Sequence, residues 1–372
     1  MESKAKFVED RKKRAVVKTH GIDNAATFEH PASFQATTGR PDKTSLKDFI
    51  DECDIEILSL NDEEIVFDLV GAEPPLANAL RRILIAEIPT MAIEKVNMWQ
   101  NTSIIPDENL AHRIGLVPIK ADPREFEEHT ALTQAEVEEG VDDTTRYTGD
   151  DCLKFKLHVR CTKKDPNAPM VINNTFDEER LYNNPNVYAS HLTWEPLGNQ
   201  RTKYPTPESE PKALYPDILI AKLRPGQEIE MELFCEKGTG KTHAKWSPVS
   251  TAYYRLVPDI RFKREIVGED AKELKRLCPV GVFDIEDIGG IKKAVVGDAR
   301  KCTTCRECIR PAKFADVVDL GKWKDRFEFH VETVGHYRPE ELVVEALKKL
   351  KEKTVHWLEV IQQESASGAE EK

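Results

Sequence analysis

The chain has 372 residues, 40% apolar and 32% charged, which is ordinary for a protein with packed cores and long enough for two or three domains. No stretch approaches the roughly 18 apolar residues of a membrane span, and the opening MESKAKFVEDRKKRAVV holds no apolar signal region, so neither a membrane location nor secretion is expected. The formal net charge of −12 argues against direct, specific nucleic-acid contact, which needs a basic surface to displace counterions.

Residues 1–47 are polar and read as a flexible extension. RKKR at 11–14 is a nuclear address, a basic arm or a run of solvated charges. In DIEILSLNDEEIVFDLVG, Ile55, Ile57, Ile65, Phe67 and Leu69 recur at the strand period around an NDEE turn, which predicts a hairpin. PPLANALRRILIAEIP is helical: Pro75 suits a first turn, Leu76, Leu80, Ile83 and Leu84 share a face, and Pro89 stops the helix near Ile88. Asn78, Arg81 and Arg82 lie on it. The arginines are solvated surface or an anchor for a partner's carboxylates, which guanidinium forks bind bidentately.

From Arg124 to Asp151 the chain carries ten acids against two arginines and reads as an exposed loop. CLKFKLHVRC then sets Leu153, Phe155, Leu157 and Val159 on one face of a strand and Lys154, Lys156, His158 and Arg160 on the other. Residues 163–217, rich in Pro and Asn, predict long connections with short strands. EIEMELFCEKG, with Ile229, Met231 and Leu233 inward, TAYYRLVPDIRF and RFEFHVETVG are further strands. The last helix carries Val343, Leu347, Leu350, Thr354, Trp357 and Ile361 at spacings of four and three. That seam suits one partner helix or the chain's own sheet. Strands, helix, irregular insert, strands, cysteine insert, strand and long helix make an α+β chain.

Catalytic signatures fail. GTGKT at 238–242 lacks the earlier glycine of a phosphate loop, because position 235 is Cys235. No dinucleotide fingerprint, serine elbow or paired-histidine zinc helix is present, so no nucleotide cofactor is expected. The ten histidines are dispersed, and none pairs with a cysteine or carboxylate at metal spacing along the chain; His112, His191 and His243 read as local hydrogen bonders.

LANALRRILIAEIPTMAIEKVNMWQNTSIIPDENLAHRIGLVPI (76–119) resembles the alpha-like motif of DNA-directed RNA polymerase subunits, and LRPGQEIEMELFCEKGTGKTHAKWSPV (223–249) resembles that family's second signature. ADPREFE, VRCTKKDP, LTWEPLGNQ and DILIAKLRPGQE are most similar to the larger alpha-like subunit shared by polymerases I and III, and the resemblance spans roughly residues 48–363. It implies a dimerisation domain of residues 48–90, 216–266 and 315–363, a mostly β domain inserted at 91–215, a small ferredoxin-like insert at 267–314 and a tail at 364–372. It also implies a noncatalytic nuclear and nucleolar subunit. The subunit would pair with a smaller alpha-like partner, offer a platform to the largest and second-largest subunits, and serve rRNA, 5S rRNA and tRNA transcription. On this reading Asn78, Arg81 and Arg82 face a large subunit, and Val343, Leu347, Leu350, Trp357 and Ile361 face the smaller partner.

Of eight cysteines, Cys53, Cys152, Cys161, Cys235 and Cys278 are scattered, while Cys302, Cys305 and Cys308 cluster. That is no disulfide framework; it reads as a reducing compartment with one metal site. In a two-cluster ferredoxin run, the cysteine before proline in one half completes the other half's triplet. Cys278-Pro279 with Cys302, Cys305 and Cys308 is therefore the ligand set of one [4Fe–4S] cluster. The twin set would need cysteines at Gly268, Ala271, Leu274 and Ala312. Zinc, or four unmetallated thiols, are the alternatives. The polymerase II relative carries a zinc loop in its inserted domain; here only Cys152 and Cys161 lie there, so no zinc is expected in it. The rival functional reading is an iron–sulfur electron-transfer or redox protein, although no second cofactor motif accompanies the cysteines.

Overall fold

The computed structural model describes residues 13–25, 46–130, 132, 140, 143–165 and 178–370. In chain order, the elements used below are β1 (Arg14–Val17), α1 (Leu46–Glu52), β2 (Asp54–Leu60), β3 (Glu64–Val70), α2 (Pro74–Ala86), β4 (Pro89–Asn101) and α3 (Asp107–Gly115). They continue with β5 (Cys152–Arg160), β6 (Thr193–Glu195), β7 (Glu228–Thr239), β8 (Val249–Phe262) and α4 (Glu269–Leu277). The last are β9 (Phe283–Ile288), β10 (Ile291–Val296), β11 (Val318–Thr333) and α5 (Pro339–Glu370). The chain divides into two compact units, Met1–Arg81 with Ala252–Val331 and Arg82–Thr251 with Glu332–Lys372.

The first unit holds a six-stranded sheet in which β11 is central, flanked by β1 and β3, with β2 at the edge beyond β3 and β8 also pairing β11. Phe327, Phe329 and Val331 of β11 and Phe67 of β3 are buried, and the Phe67 and Phe329 rings stack with centroids 5.1 Å apart. The predicted hairpin is the β2–β3 pair, with Asp54 opposite Val70 and Leu60 opposite Ile65. The chain leaves β3 through Gly71, whose φ is +73°; a Cβ there would sit 2.2 Å from the Glu52 carbonyl oxygen. Only glycine satisfies both conditions.

The N-terminal region corrects the expectation of a flexible extension. Residues 14–17 form β1, which pairs antiparallel with residues 320–323 of β11. Val17 buries in the core, and Arg14, read in sequence as part of an exposed basic run, is only 4% exposed. Arg11 and Lys12 lie outside the described residues. α1 begins at Leu46, two residues inside the expected extension, and at the other end α5 continues through Glu370 where a tail was expected.

A second sheet, in the order β6-β5-β7-β4, organises the second unit. Leu153, Phe155 and Leu157 of β5 and Ile229, Met231 and Leu233 of β7 are fully buried, as their alternation predicts. The opposite faces carry a charge ladder: Lys154 meets Glu232 at 2.7 Å, Lys156 meets Glu230 at 3.0 Å, and His158 meets Glu228 at 2.7 Å. β7 thus joins β4 and β5, so the expected boundary between 91–215 and 216–266 does not separate two sheets. The apolar face shared by β5 and β7 is one core. The acidic stretch also differs from a plain exposed loop. Phe126 is buried, Tyr147 donates to a Glu236 carboxylate, and His129 Nδ1 lies 2.8 Å from Asp151 Oδ2.

Buried charge is concentrated in the first sheet. Asp68 of β3 and Glu328 of β11 are almost wholly inaccessible. Arg300 Nη2 reaches Asp68 at 2.6 Å and its Nη1 reaches Glu328 at 2.5 Å; Arg326 Nε lies 2.7 Å from Asp68, and Arg255 Nε 2.7 Å from Glu328. Burial alone would raise both carboxyl groups. The hydrogen bonds and charges of Arg300 and Arg326 on Asp68, and those of His330, Arg300 and Arg255 on Glu328, outweigh it and hold both below the usual range. Depressed carboxylates contribute stability above their unfolded pKa and lose it as pH falls through the folded one. Unfolding of this unit is therefore expected to become easier as pH drops below about 4. Asp68→Ala is expected to cost about 3 kcal/mol by chemical denaturation, at the low end for unpairing buried ions because Arg300 and Arg326 stay about a third exposed. A loss below about 1 kcal/mol would mean that the cluster is solvated well enough to be dispensable.

Candidate functional site

All four cysteines singled out in the sequence line one recess of the first unit. Cys278 enters from the end of α4, and Cys302, Cys305 and Cys308 wrap it from the loop after β10. Ile260, Val280, Val282, Phe283 and Leu320 complete the wall. The backbone N–H of Val282 points at Cys278 Sγ at 3.3 Å, and that of Thr304 at Cys302 Sγ at 3.4 Å. Such donors stabilise sulfur that carries negative charge. Burial first, and then the neighbouring sulfurs of Cys302, Cys305 and Cys278, push the Cys308 thiol up to about 12; burial likewise raises Cys302. The neighbouring sulfurs thus oppose ionisation of Cys302 and Cys308, and a cation among them would remove that opposition.

Four cysteine sulfurs on one recess are a donor set that suits either a tetrahedral zinc ion or an iron–sulfur cluster. Among the described residues, the possible ligand atoms lying within 4.8 Å of one another are those of His158, Glu228 and Glu230.

Two features hold this loop in shape. β9 and β10 form the hairpin expected from Gly289-Gly290, with φ of +62° and +84° and Ile288 opposite Ile291, the paired positive angles of a two-residue turn. The chain then runs through Arg300, bonded to Asp68 and Glu328, directly into Cys302. Between the cysteines, Thr304 and Arg306 adopt left-handed φ of +57° and +69°. For a β-branched threonine this conformation is strained, and surrounding contacts must maintain it.

The other predicted residues are placed differently. Asn78 Oδ1 accepts from Arg81 Nη2 at 3.0 Å, which aims a partly buried guanidinium along α2, while Arg82 is exposed. Val343, expected at a partner interface, is buried in the chain's own second unit beside Leu342 and Ala346. The packed stripe drifts round the helix, so the rest of the seam stays open: Leu347, Trp357 and Ile361 are exposed, Leu350 is half-buried, and Val344, Val355 and Leu358 widen the apolar face. Within that unit, Lys353 Nζ holds the Glu87 carboxylate at 2.8 Å.

Other sequence signals resolve into structure. In GTGKT, a Cβ on Gly238 would strike the Trp246 ring at 2.4 Å, and one on Gly240 would strike the Ile85 carbonyl oxygen at 2.4 Å. These glycines serve close packing. His191 and His243 accept backbone N–H bonds from Tyr188 and Lys245, as expected. His158, Glu228 and Glu230, unlinked in sequence, meet only because β5 pairs with β7; Lys156 already holds Glu230. Cys152 and Cys161 sit buried at opposite ends of β5.

Residues 66–354 match the sequence profile of the RNA polymerase Rpb3/Rpb11 dimerisation domain. The chain belongs to that family of alpha-like polymerase subunits. It is 42% identical over 352 residues to the human DNA-directed RNA polymerases I and III subunit RPAC1, covering 95% of this chain and 96% of the relative. It is 42% identical over 309 residues to the subunit of that name from Saccharomyces cerevisiae, 83% and 88% of the two chains. The archaeal polymerase subunit Rpo3 of Methanosphaera stadtmanae is 31% identical over 313 residues, 83% of this chain and 99% of the relative. The cysteine recess and the first part of the open helix face, Val344, Leu347 and Leu350, lie inside the stretch that matches this dimerisation family; Val355, Trp357, Leu358, Ile361 and β1 lie outside it. An apolar face of this size carries about 1.5–3 kcal/mol per large side chain on burial, so the isolated chain is expected to self-associate in sedimentation velocity. The triple change Leu347→Gln, Trp357→Gln and Ile361→Gln should return it to a monomer. A wild-type chain that runs alone as a well-folded monomer would show that the face needs no cover.

Proposed function

We infer that this chain is a noncatalytic subunit shared by DNA-directed RNA polymerases I and III. The observation that carries the reading is 41–42% identity over about 95% of the chain to mammalian proteins so named. It partners with other polymerase subunits and works in the nucleus, including the nucleolus. The specific partner is a smaller alpha-like subunit laid on α5 along Leu347, Leu350, Trp357 and Ile361; its open apolar face supports this. Arg81, steadied by Asn78, and the exposed Arg82 are the points offered to a large catalytic subunit. The dimerisation domain is assigned to residues 48–90, 315–363 and the part of 216–266 beyond β7, with the insert at 267–314; β7 itself belongs to the sheet of β4 and β5. The nucleotide chemistry belongs to the large subunits, and transcription of rRNA, 5S rRNA and tRNA is the output of the assembled enzymes. Nothing favours the rival reading as a separate redox protein.

The recess is assigned a structural [4Fe–4S] cluster held by Cys278, Cys302, Cys305 and Cys308. Support comes from the convergence of four thiols on one recess and from backbone donors aimed at two sulfurs. Bound, such a group would tie the chain across the 267–314 insert, whose small core leaves it short of stability alone.

The test of the assembly reading is native mass spectrometry of the affinity-tagged chain from its own cells. Two complexes are expected, each with a smaller alpha-like subunit and a distinct pair of large subunits; recovery with a reductase and no polymerase would overturn it. Arg81→Ala with Arg82→Ala should keep the heterodimer and weaken large-subunit recruitment, whereas loss of the heterodimer would make these arginines structural. Anaerobic purification should yield iron and sulfide near four of each per chain, consistent with one four-iron cluster, and Cys305→Ser should lose them. Stoichiometric zinc without iron would make the recess a zinc site.

A further inference from the structure

We propose that residues 14–19 form a clamp that holds the cysteine loop closed and limits access to the sulfurs of Cys302 and Cys308, with Arg14 as its anchor and Arg306 as its catch. Arg14 is the last residue of RKKR, the basic run that the assembly reading leaves without a use. Its guanidinium is spread over two strands: Nε donates to Asp259 Oδ2 at 2.5 Å and Nη1 to Asp319 Oδ2 at 2.9 Å, while Nη2 donates to the backbone oxygens of Asp259 and Asp319, each at 3.1 Å. The fork is thus committed to β8 on one side and to the start of β11 on the other, and it is buried. Room for it exists because residue 321 is glycine: a Cβ there would sit 2.6 Å from the guanidinium carbon.

Anchored this way, the segment reaches the cysteine loop by two independent routes. Val17 pairs with Leu320, a wall residue of the recess, and shares a core with Cys308 and Ile309, against which Cys278 and Cys302 pack. Two residues on, the Thr19 carbonyl accepts from Arg306 Nη1 at 3.3 Å. Arg306 stands between Cys305 and Cys308 with left-handed φ, so this bond falls on one of the two strained residues of the loop. A neutral chain could supply the Val17 contact, but an arginine fork is needed to fasten a four-residue strand at one defined register, because four residues of pairing are too few to hold by themselves.

The clamp rests on the four-cysteine recess as a site, but not on which metal it takes, so its test is made without metal. The full chain, with its partner subunits and stripped of metal, is treated with iodoacetamide, and alkylation of each cysteine is followed by peptide mass spectrometry. Arg14→Gln, which removes the paired guanidinium bonds to Asp259 and Asp319, is expected to speed alkylation of Cys302 and Cys308 by at least about tenfold, the scale of even one lost charge-assisted hydrogen bond. Arg306→Gln, which cuts only the catch, should speed them about threefold. Cys53 in the same unit and Cys161 and Cys235 in the other should keep their rates. Unchanged Cys302 and Cys308 rates in both variants would overturn the clamp. If Arg14→Gln also quickens Cys53, the unit has opened globally and Arg306→Gln decides: faster Cys302 and Cys308 alone support the clamp, and no change overturns it.

Discussion

Two carboxylates that water cannot reach, Asp68 and Glu328, set the terms for the first unit. A buried carboxylate without partners would take a proton or unfold its surroundings. Here three arginines from separate strands and loops converge on the pair, and the network exists only when β3, β8, β11 and the segment leading to Cys302 are all in place. The charge cluster is therefore a condition on the register of the sheet and, through Arg300, on the position of the cysteine loop. Hydrophobic burial around the stacked Phe67 and Phe329 itself forbids a one-residue slip, which would turn both rings to the other face, and the ion pairs add a second, charge-specific constraint on the same register.

That dependence explains how a small insert with little core can present four thiols to one point. The hairpin turn at Gly289-Gly290 returns the chain, Arg300 fixes the exit, and two left-handed residues between the cysteines curl the loop back on itself. Thr304 in its left-handed conformation gives its N–H to Cys302 Sγ and its hydroxyl to the Thr303 carbonyl.

The second unit solves a different problem. Its sheet is fully buried on one face and laced by cross-strand ion pairs on the other, so it is self-sufficient. Its long helix is not: the first turns bury Leu342, Val343 and Ala346, and the remainder leaves an apolar stripe in the open. Burial is thus divided along one helix: its early turns pack within the unit, and its later turns leave large apolar side chains exposed.

Much of the architecture was legible in the sequence, because alternation and helical stripes are local and burial follows them directly. The hairpin at 54–70, the inward faces of β5 and β7, the β9–β10 turn, the long helix and the four cysteines as a set all follow from spacing. What could not be read was whatever depends on partners far along the chain. Arg14 looks like one more surface cation until Asp259 and Asp319, 245 and 305 residues away, close on it. Val343 shares its periodicity with Leu347, yet one is buried and the other open, since a repeat of four and three cannot say where a neighbouring surface ends. Arg300 and His158 likewise owe their roles to strands that only folding brings alongside. Sequence by itself determined which faces are apolar, where the chain turns and which sulfurs belong together; the tertiary structure decided which charges are neutralised and which apolar faces remain uncovered, because desolvation depends on surroundings that no local pattern contains.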